Sequence, residues 1–155
     1  MTTSVIHDRF KLAQVFTISR GSRSEINVLT VRIVRDGLTG WGECVPYARY
    51  GETLETVAAQ IAALPDDINR AALQEVMPAG AGRNAVDCAL WDLEAKQRGQ
   101  RVWQLAGLIP PGPEVTAYTL SLDSPEIMRS EASKHAHRPL LKIKLGTAED
   151  MPRLE

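Results

Sequence analysis

Several large functional classes are marked by features this sequence lacks. It has only two cysteines, Cys44 and Cys88, which lie in different segments without a C-x-x-C spacing, and no histidines cluster near them. A zinc site therefore has no ligand set, and both cysteines are expected to be free, buried thiols in a reducing cytoplasm. Neither sign of charge dominates: 18 basic residues stand against 19 acidic ones, for a net charge of −1. Without an overall basic field, neither nucleic acid nor an anionic membrane is the implied partner. No apolar run approaches the ~18 residues of a membrane span, and the opening "MTTSVIHDRFKLAQVF" lacks a basic stretch followed by an apolar one, so a cytoplasmic protein is expected. H-E-x-x-H, G-x-S-x-G and phosphate-loop patterns are missing as well. "GAGRNA" (80–85) follows "VMP" instead of a strand and has no third glycine, so its glycines are expected to start a helix and not to bind a dinucleotide. His7, His135 and His137 show no consistent partner, and the last two, at i and i+2 on a helix end, are not expected to face each other.

What remains is an ordinary globular composition, 155 residues with 44% hydrophobic and 24% charged, long enough for a real core. "RFKLAQVFTI", "SEINVLTVRIVRDG" and "LTGWGECVP" read as a three-strand antiparallel meander, with a hairpin at Asp36-Gly37. In the middle strand Ile26, Val28 and Thr30 share one face and Leu29, Val31 and Ile33 the other, so both faces are expected to be covered. From Thr53 the period becomes helical. Leu54, Val57, Ala58 and Ile61 form a stripe behind a Thr cap, a short helix follows in "NRAALQEVM", and Val86, Ala89, Leu90 and Leu93 mark the strongest helix, stopped by Gly99. "RVWQLAG" adds one further turn or two.

"LIPPGPEV" (108–115) is the one Pro/Gly-rich break and is taken as a boundary between domains at 1–110 and 114–155. Beyond it come a strand, "EVTAYTLSL", a helix capped by Ser124 with Pro125 in its first position, and a second strand, "LLKIKLG". That order predicts a parallel βαβ unit.

Strand periodicity places Lys142 and Lys144 on one face of the last strand and Leu141, Ile143 and Leu145 on the other. If helices cover the leucine face, the lysines point inward at the C-terminal end of the strand, where barrel folds build active sites. Ammonium groups paired in a partly dry site disfavour each other's charge, and a lysine so perturbed becomes a usable base near neutral pH. A solvated strand face that carries two lysines would show the same spacing, which alone does not decide between the two.

The order of the meander, "GWGE", "RNAVDCALWDLEAK", "LAG", the βαβ unit and "LLKIKLG" resembles the N-terminal half of an enolase superfamily member of the muconate lactonizing subgroup. The resemblance implies an α+β capping domain, the meander plus helices, followed by the first βαβ of a truncated (β/α)8 barrel. Such a barrel takes about 250 residues, so this chain cannot contain the barrel it begins. The implied chemistry is removal of a proton next to a carboxylate, with the enediolate held by Mg²⁺. Carried over by position, Lys144 is the acid/base and Lys142 the neighbour that tunes it. Trp91 and Asp92 are expected in packing and domain-interface roles, and Glu43 as a structural hydrogen-bonding partner at the strand end.

"ISRGSRSE" (18–25) and "PYARYGET" (46–53) fall on the two capping segments that close over substrate in that family, and they carry Arg20, Arg23 and Arg49. Guanidinium forks pair bidentately with carboxylates, although exposed loop arginines are also commonly just solvated. With the rest, these stretches resemble dipeptide epimerases of the L-Ala-D/L-Glu type, "RGSRSE" above all. The resemblance implies a racemase/epimerase acting on a small anionic dipeptide, with Arg23 on the glutamyl side-chain carboxylate. It also implies inversion at the glutamyl α-carbon between Lys144 and a second lysine. That lysine and the acidic Mg²⁺ ligands would sit on later barrel strands, so no metal site is expected in this chain, nor turnover by residues 1–155 alone. A muconate cycloisomerase or an o-succinylbenzoate synthase shares the K-x-K and the cap. A noncatalytic truncated fragment, pairing through an exposed edge at Leu140 to Leu145, is the alternative from a different class. Homo-oligomerisation stays open.

Overall fold

The computed structural model describes residues 2–146, 148 and 150–154; the end positions 1 and 155 of the expected division lie outside them. Three strands, β1 (Thr2–Ile18), β2 (Gly21–Arg35) and β3 (Leu38–Cys44), form one sheet in the order β1-β2-β3. β2 and β3 are antiparallel, with Ile33 opposite Gly40 and Val31 opposite Gly42. Their connection is Asp36 (φ 49°) and Gly37 (φ 77°), both left-handed, the two-residue turn whose twist matches the strands it joins.

Four helices follow: α1 (Leu54–Ala62), α2 (Arg70–Val76), α3 (Ala81–Arg98) and α4 (Val102–Leu105). Thr53 caps α1 by accepting from the Thr56 N–H, Asn69 caps α2 by accepting from Ala72, and Gly99 (φ 61°) ends α3 in the left-handed conformation. The apolar stripes meet as expected. Leu29, Val31 and Ile33 of β2 pack with Val57, Ile61, Leu73 and the α3 residues Ala85, Val86, Ala89, Leu90 and Leu93 in one buried cluster. On the other face of β2, Val28 is buried and Ile26 and Thr30 are half-buried, while Arg32 is exposed, so cover there is only partial.

α3 lies directly on β3 because β3 has glycine where a side chain would collide. A Cβ on Gly40 would overlap the Ala89 carbonyl oxygen and stand 2.6 Å from Leu93 Cβ; one on Gly42 would overlap the Ala85 carbonyl oxygen. Asp92 fastens the same contact. Its Oδ2 accepts from the Trp41 N–H at 2.9 Å and from Lys96 Nζ at 2.6 Å.

Residues 108–115 carry neither helix nor strand. After them, β4 (Tyr118–Leu120), α5 (Pro125–Lys134) and β5 (Leu141–Ile143) form a parallel βαβ unit, with Tyr118 opposite Leu141 and Leu120 opposite Ile143. Ser124 caps α5 and Pro125 occupies its first turn, as the sequence predicts. The strands are shorter than expected, because a ladder extends only as far as its partner, and here each has three residues of partner. The leucine face of β5 also departs from expectation. Leu141 is half-buried, but Ile143 and Leu145 stay 40% and 38% exposed, since the one α-helix described after residue 115 packs on β4.

By contacts the chain forms two compact units. One joins the residues up to Arg9 with Asn27–Pro111, and the other joins Phe10–Ile26 with the chain from Gly112 onward. The tip of the β1-β2 hairpin thus clusters with the βαβ segment.

Candidate functional site

The second unit holds four of the five predicted site residues: Arg20, Arg23, Lys142 and Lys144. Lys142 lies in β5 and is exposed, whereas Lys144 stands one residue past its end and is half-buried. "ISRGSRSE" is not a long loop. β1 runs to Ile18 and β2 resumes at Gly21 (φ 134°), so Ser19 and Arg20 alone make the turn and Arg23 stands on a strand. Both arginines are exposed.

Contacts inside this unit bring the turn to the lysine strand. A Cβ on Gly146 would collide with Ser19 Cβ and stand 3.1 Å from Ser19 Cα, so the glycine closing "KIKLG" allows the hairpin turn to rest two residues past Lys144. Thr17 is tied to the end of β4: its N–H donates to Ser121 Oγ at 2.7 Å, and its carbonyl accepts from the Leu122 N–H at 3.0 Å. Sequence reasoning missed Ser121, since the link spans 104 positions and nothing local announces it.

Arg49 belongs to the first unit, exposed in the 3₁₀ turn Ala48–Tyr50 that ends on Gly51 (φ 74°). Its segment is organised by Glu52, also unpredicted. Glu52 Oε2 accepts from the Tyr47 N–H at 3.1 Å, closing the segment on itself, and Oε1 accepts from the Ala81 N–H at 2.6 Å, at the positive end of α3. Glu43, Cys44, Tyr47, Tyr50, Glu52 and Asn84 line a cleft of 740 Å³ beside it. The Cys44 thiol is pushed up to about 11, first by burial and then by the charges of Glu52 and Glu43.

Other expectations resolve plainly. Cys44 and Cys88 are both free, but Cys88 is exposed and not buried. The Arg70 guanidinium lies 3.5 Å from the centre of the Trp91 ring, and Asp92 holds the Trp41 N–H. The histidines do have partners: His7 Nε2 meets Asn27 Oδ1 at 2.9 Å, and His135 stacks on Tyr118 at 4.0 Å between centroids. His135 and His137 lie in the turn after α5, where the chain has left helical spacing, and their rings come within 6.1 Å.

Among the described residues no three His, Cys, Asp or Glu side chains gather so as to hold a metal ion. The described residues by themselves do not supply the ligand set of a Mg²⁺ site. Nor is any described helix long and apolar enough to cross a membrane.

Residues 1–107 match the mandelate racemase / muconate lactonizing enzyme N-terminal domain. The chain is 43% identical over 150 residues to the L-Ala-D/L-Glu epimerase of Escherichia coli (strain K12), covering 93% of this chain and 47% of that protein. Its fold superposes with a TM-score of 0.93 and 52% identity on an enolase family member from Agrobacterium tumefaciens with homology to dipeptide epimerases, which holds bound sodium and L-Ala-L-Glu with an ordered loop; 98% of this chain and 48% of that one are covered. A dipeptide epimerase from Methylococcus capsulatus complexed with Mg and L-Arg-D-Lys matches with a TM-score of 0.84 and 31% identity, over 99% of this chain and 48% of that one. The chain thus spans about half the length of the curated relatives it matches. On these matches and on the meander, helices and site geometry described above, the chain belongs to the mandelate racemase / muconate lactonizing enzyme family of the enolase superfamily.

Proposed function

We propose that this chain is the N-terminal portion of a Mg²⁺-dependent dipeptide epimerase of the L-Ala-D/L-Glu type. Residues 1–110 act as its cap, and β4-α5-β5 is the first βαβ of its (β/α)8 barrel. The observation that carries the reading is the close approach of Ser19 to Gly146, which sets the arginine-bearing hairpin against the segment after β5 that carries Lys144. A reaction that takes a proton from the α-carbon of an anionic dipeptide needs that pairing: a cation for the substrate's carboxylate and an amine near the carbon. In this reading Arg23 takes the glutamyl side-chain carboxylate, with Arg20 and Arg49 contributing positive charge. Lys144 exchanges the α-proton on one face through an enediolate, and Lys142 tunes it. The bound L-Ala-L-Glu of the Agrobacterium protein supports the choice of dipeptide, and the Mg of the Methylococcus epimerase supports the metal, whose ligands would come from later strands.

The test is chiral chromatography of L-Ala-L-Glu incubated with the full natural polypeptide and Mg²⁺. Conversion to L-Ala-D-Glu is expected, and Arg23→Ala should raise KM about tenfold or more, the size of a lost charge-assisted hydrogen bond. No conversion by the wild type would overturn the reading.

A further inference from the structure

β1 is an edge strand, so backbone groups at alternate residues point away from β2 and need other partners. At Thr17 the segment after β4 supplies them, through the Ser121 hydroxyl and the Leu122 N–H. The Thr17 side chain then passes the connection on: its Oγ1 meets Ser22 Oγ at 2.9 Å, one residue before Arg23. Thr17 and Ser121 are both half-buried, so water would replace these bonds incompletely. In "TLSLD" the serine sits between two leucines, and its hydroxyl meets the exposed edge of the hairpin beside the Leu122 N–H.

We infer that Ser121 is a positioning residue: its hydroxyl latches the hairpin tip to the end of β4 and so sets Arg23 for the substrate's carboxylate. The inference rests on the function proposed above. Ser121 acts through Thr17 and Ser22, and its loss would loosen the binding of substrate more than the proton transfer.

The test compares Ser121→Ala with Ser121→Thr, which keeps a hydroxyl, in the full natural polypeptide. Ser121→Ala is expected to raise KM for L-Ala-L-Glu about fivefold, the ratio set by one ordinary hydrogen bond, with kcat changed by less than about twofold. Ser121→Thr should restore both. Limited trypsin cleavage after Arg20 and Arg23, which needs no activity, should accelerate about fivefold in Ser121→Ala and not in Ser121→Thr. Wild-type cleavage rates in folded Ser121→Ala would overturn the latch whatever the kinetics. If Ser121→Ala does not fold, Ser121→Cys decides, since it keeps the size of the side chain and replaces the hydroxyl with a poor acceptor: the same rise in KM and cleavage supports the latch, and unchanged values overturn it. An inactive wild type whose cleavage accelerates in Ser121→Ala would retire the functional reading and still support the latch.

Discussion

Glu94 stands between two guanidinium groups. Arg70 reaches its Oε2 at 2.8 Å while stacking on Trp91, and Arg98, one helical turn on, reaches Oε1 at 2.6 Å. The Arg70 hydrogen bond is the main cause that holds the Glu94 carboxyl below its ordinary value; burial opposes it, and the charges of Arg70 and Arg98 add to it. A carboxyl lowered on folding stabilises the fold above its unfolded value of about 4.3, and that contribution is lost as pH falls through the folded value. Glu94→Gln should therefore cost about 0.5–1 kcal/mol at pH 7, a figure kept small by partial exposure. Urea unfolding at pH 7 and pH 3 should show the gap between wild type and variant closing in acid; an equal gap at both would contradict the assignment. Residues of this kind were only partly legible in the sequence. Thr53 and Ser124 announce themselves because a cap is a local bond to a backbone N–H three positions on. Glu52 and Ser121 do not, because their partners lie 29 and 104 positions away.

At the scale of elements, the register of β3 against α3 turns on the "GWG" pair of glycines. Each faces the helix backbone itself, Gly40 at Ala89 and Gly42 at Ala85, so neither neighbour can rotate away. Gly42→Ala is expected to destabilise the protein by about 2–3 kcal/mol, the upper range of an overpacked core. Gly112→Ala, in open space at an ordinary φ, should change stability by less than about 0.5 kcal/mol. Equal urea midpoints for the two variants would sink the close-packing account. The helices were readable because their apolar residues recur at helical spacing and their ends carry caps. β1 was readable only from Arg9, since "TTSVIHDR" is mostly polar. Its first half is a strand nonetheless, with polar groups that bond across to β2: Asp8 to Thr30 and His7 to Asn27, both at 2.9 Å. Periodicity misses this half because most of its side chains are polar, although Val5 packs against the core cluster.

For the whole molecule, the β1-β2 hairpin belongs to both compact units, and its tip joins the βαβ segment across more than a hundred positions of chain. Motif order made the family legible, because a meander, "GWGE" and K-x-K in sequence are linear signals. The junction of Thr17, Ser19, Ser121 and Gly146 was not, because it exists only once the chain has folded back on itself. The central claim, that Lys144 is one of two bases acting on the α-carbon of a dipeptide, is tested most directly by proton NMR in D₂O. The full natural polypeptide is mixed with L-Ala-L-Glu and, separately, with L-Ala-D-Glu, and the glutamyl α-proton signal is followed for wild type and Lys144→Ala. The account predicts that wild type exchanges the proton of both epimers, while Lys144→Ala exchanges only the epimer whose proton faces the other base. Loss of neither, or exchange of both by Lys144→Ala at the wild-type rate, would contradict it.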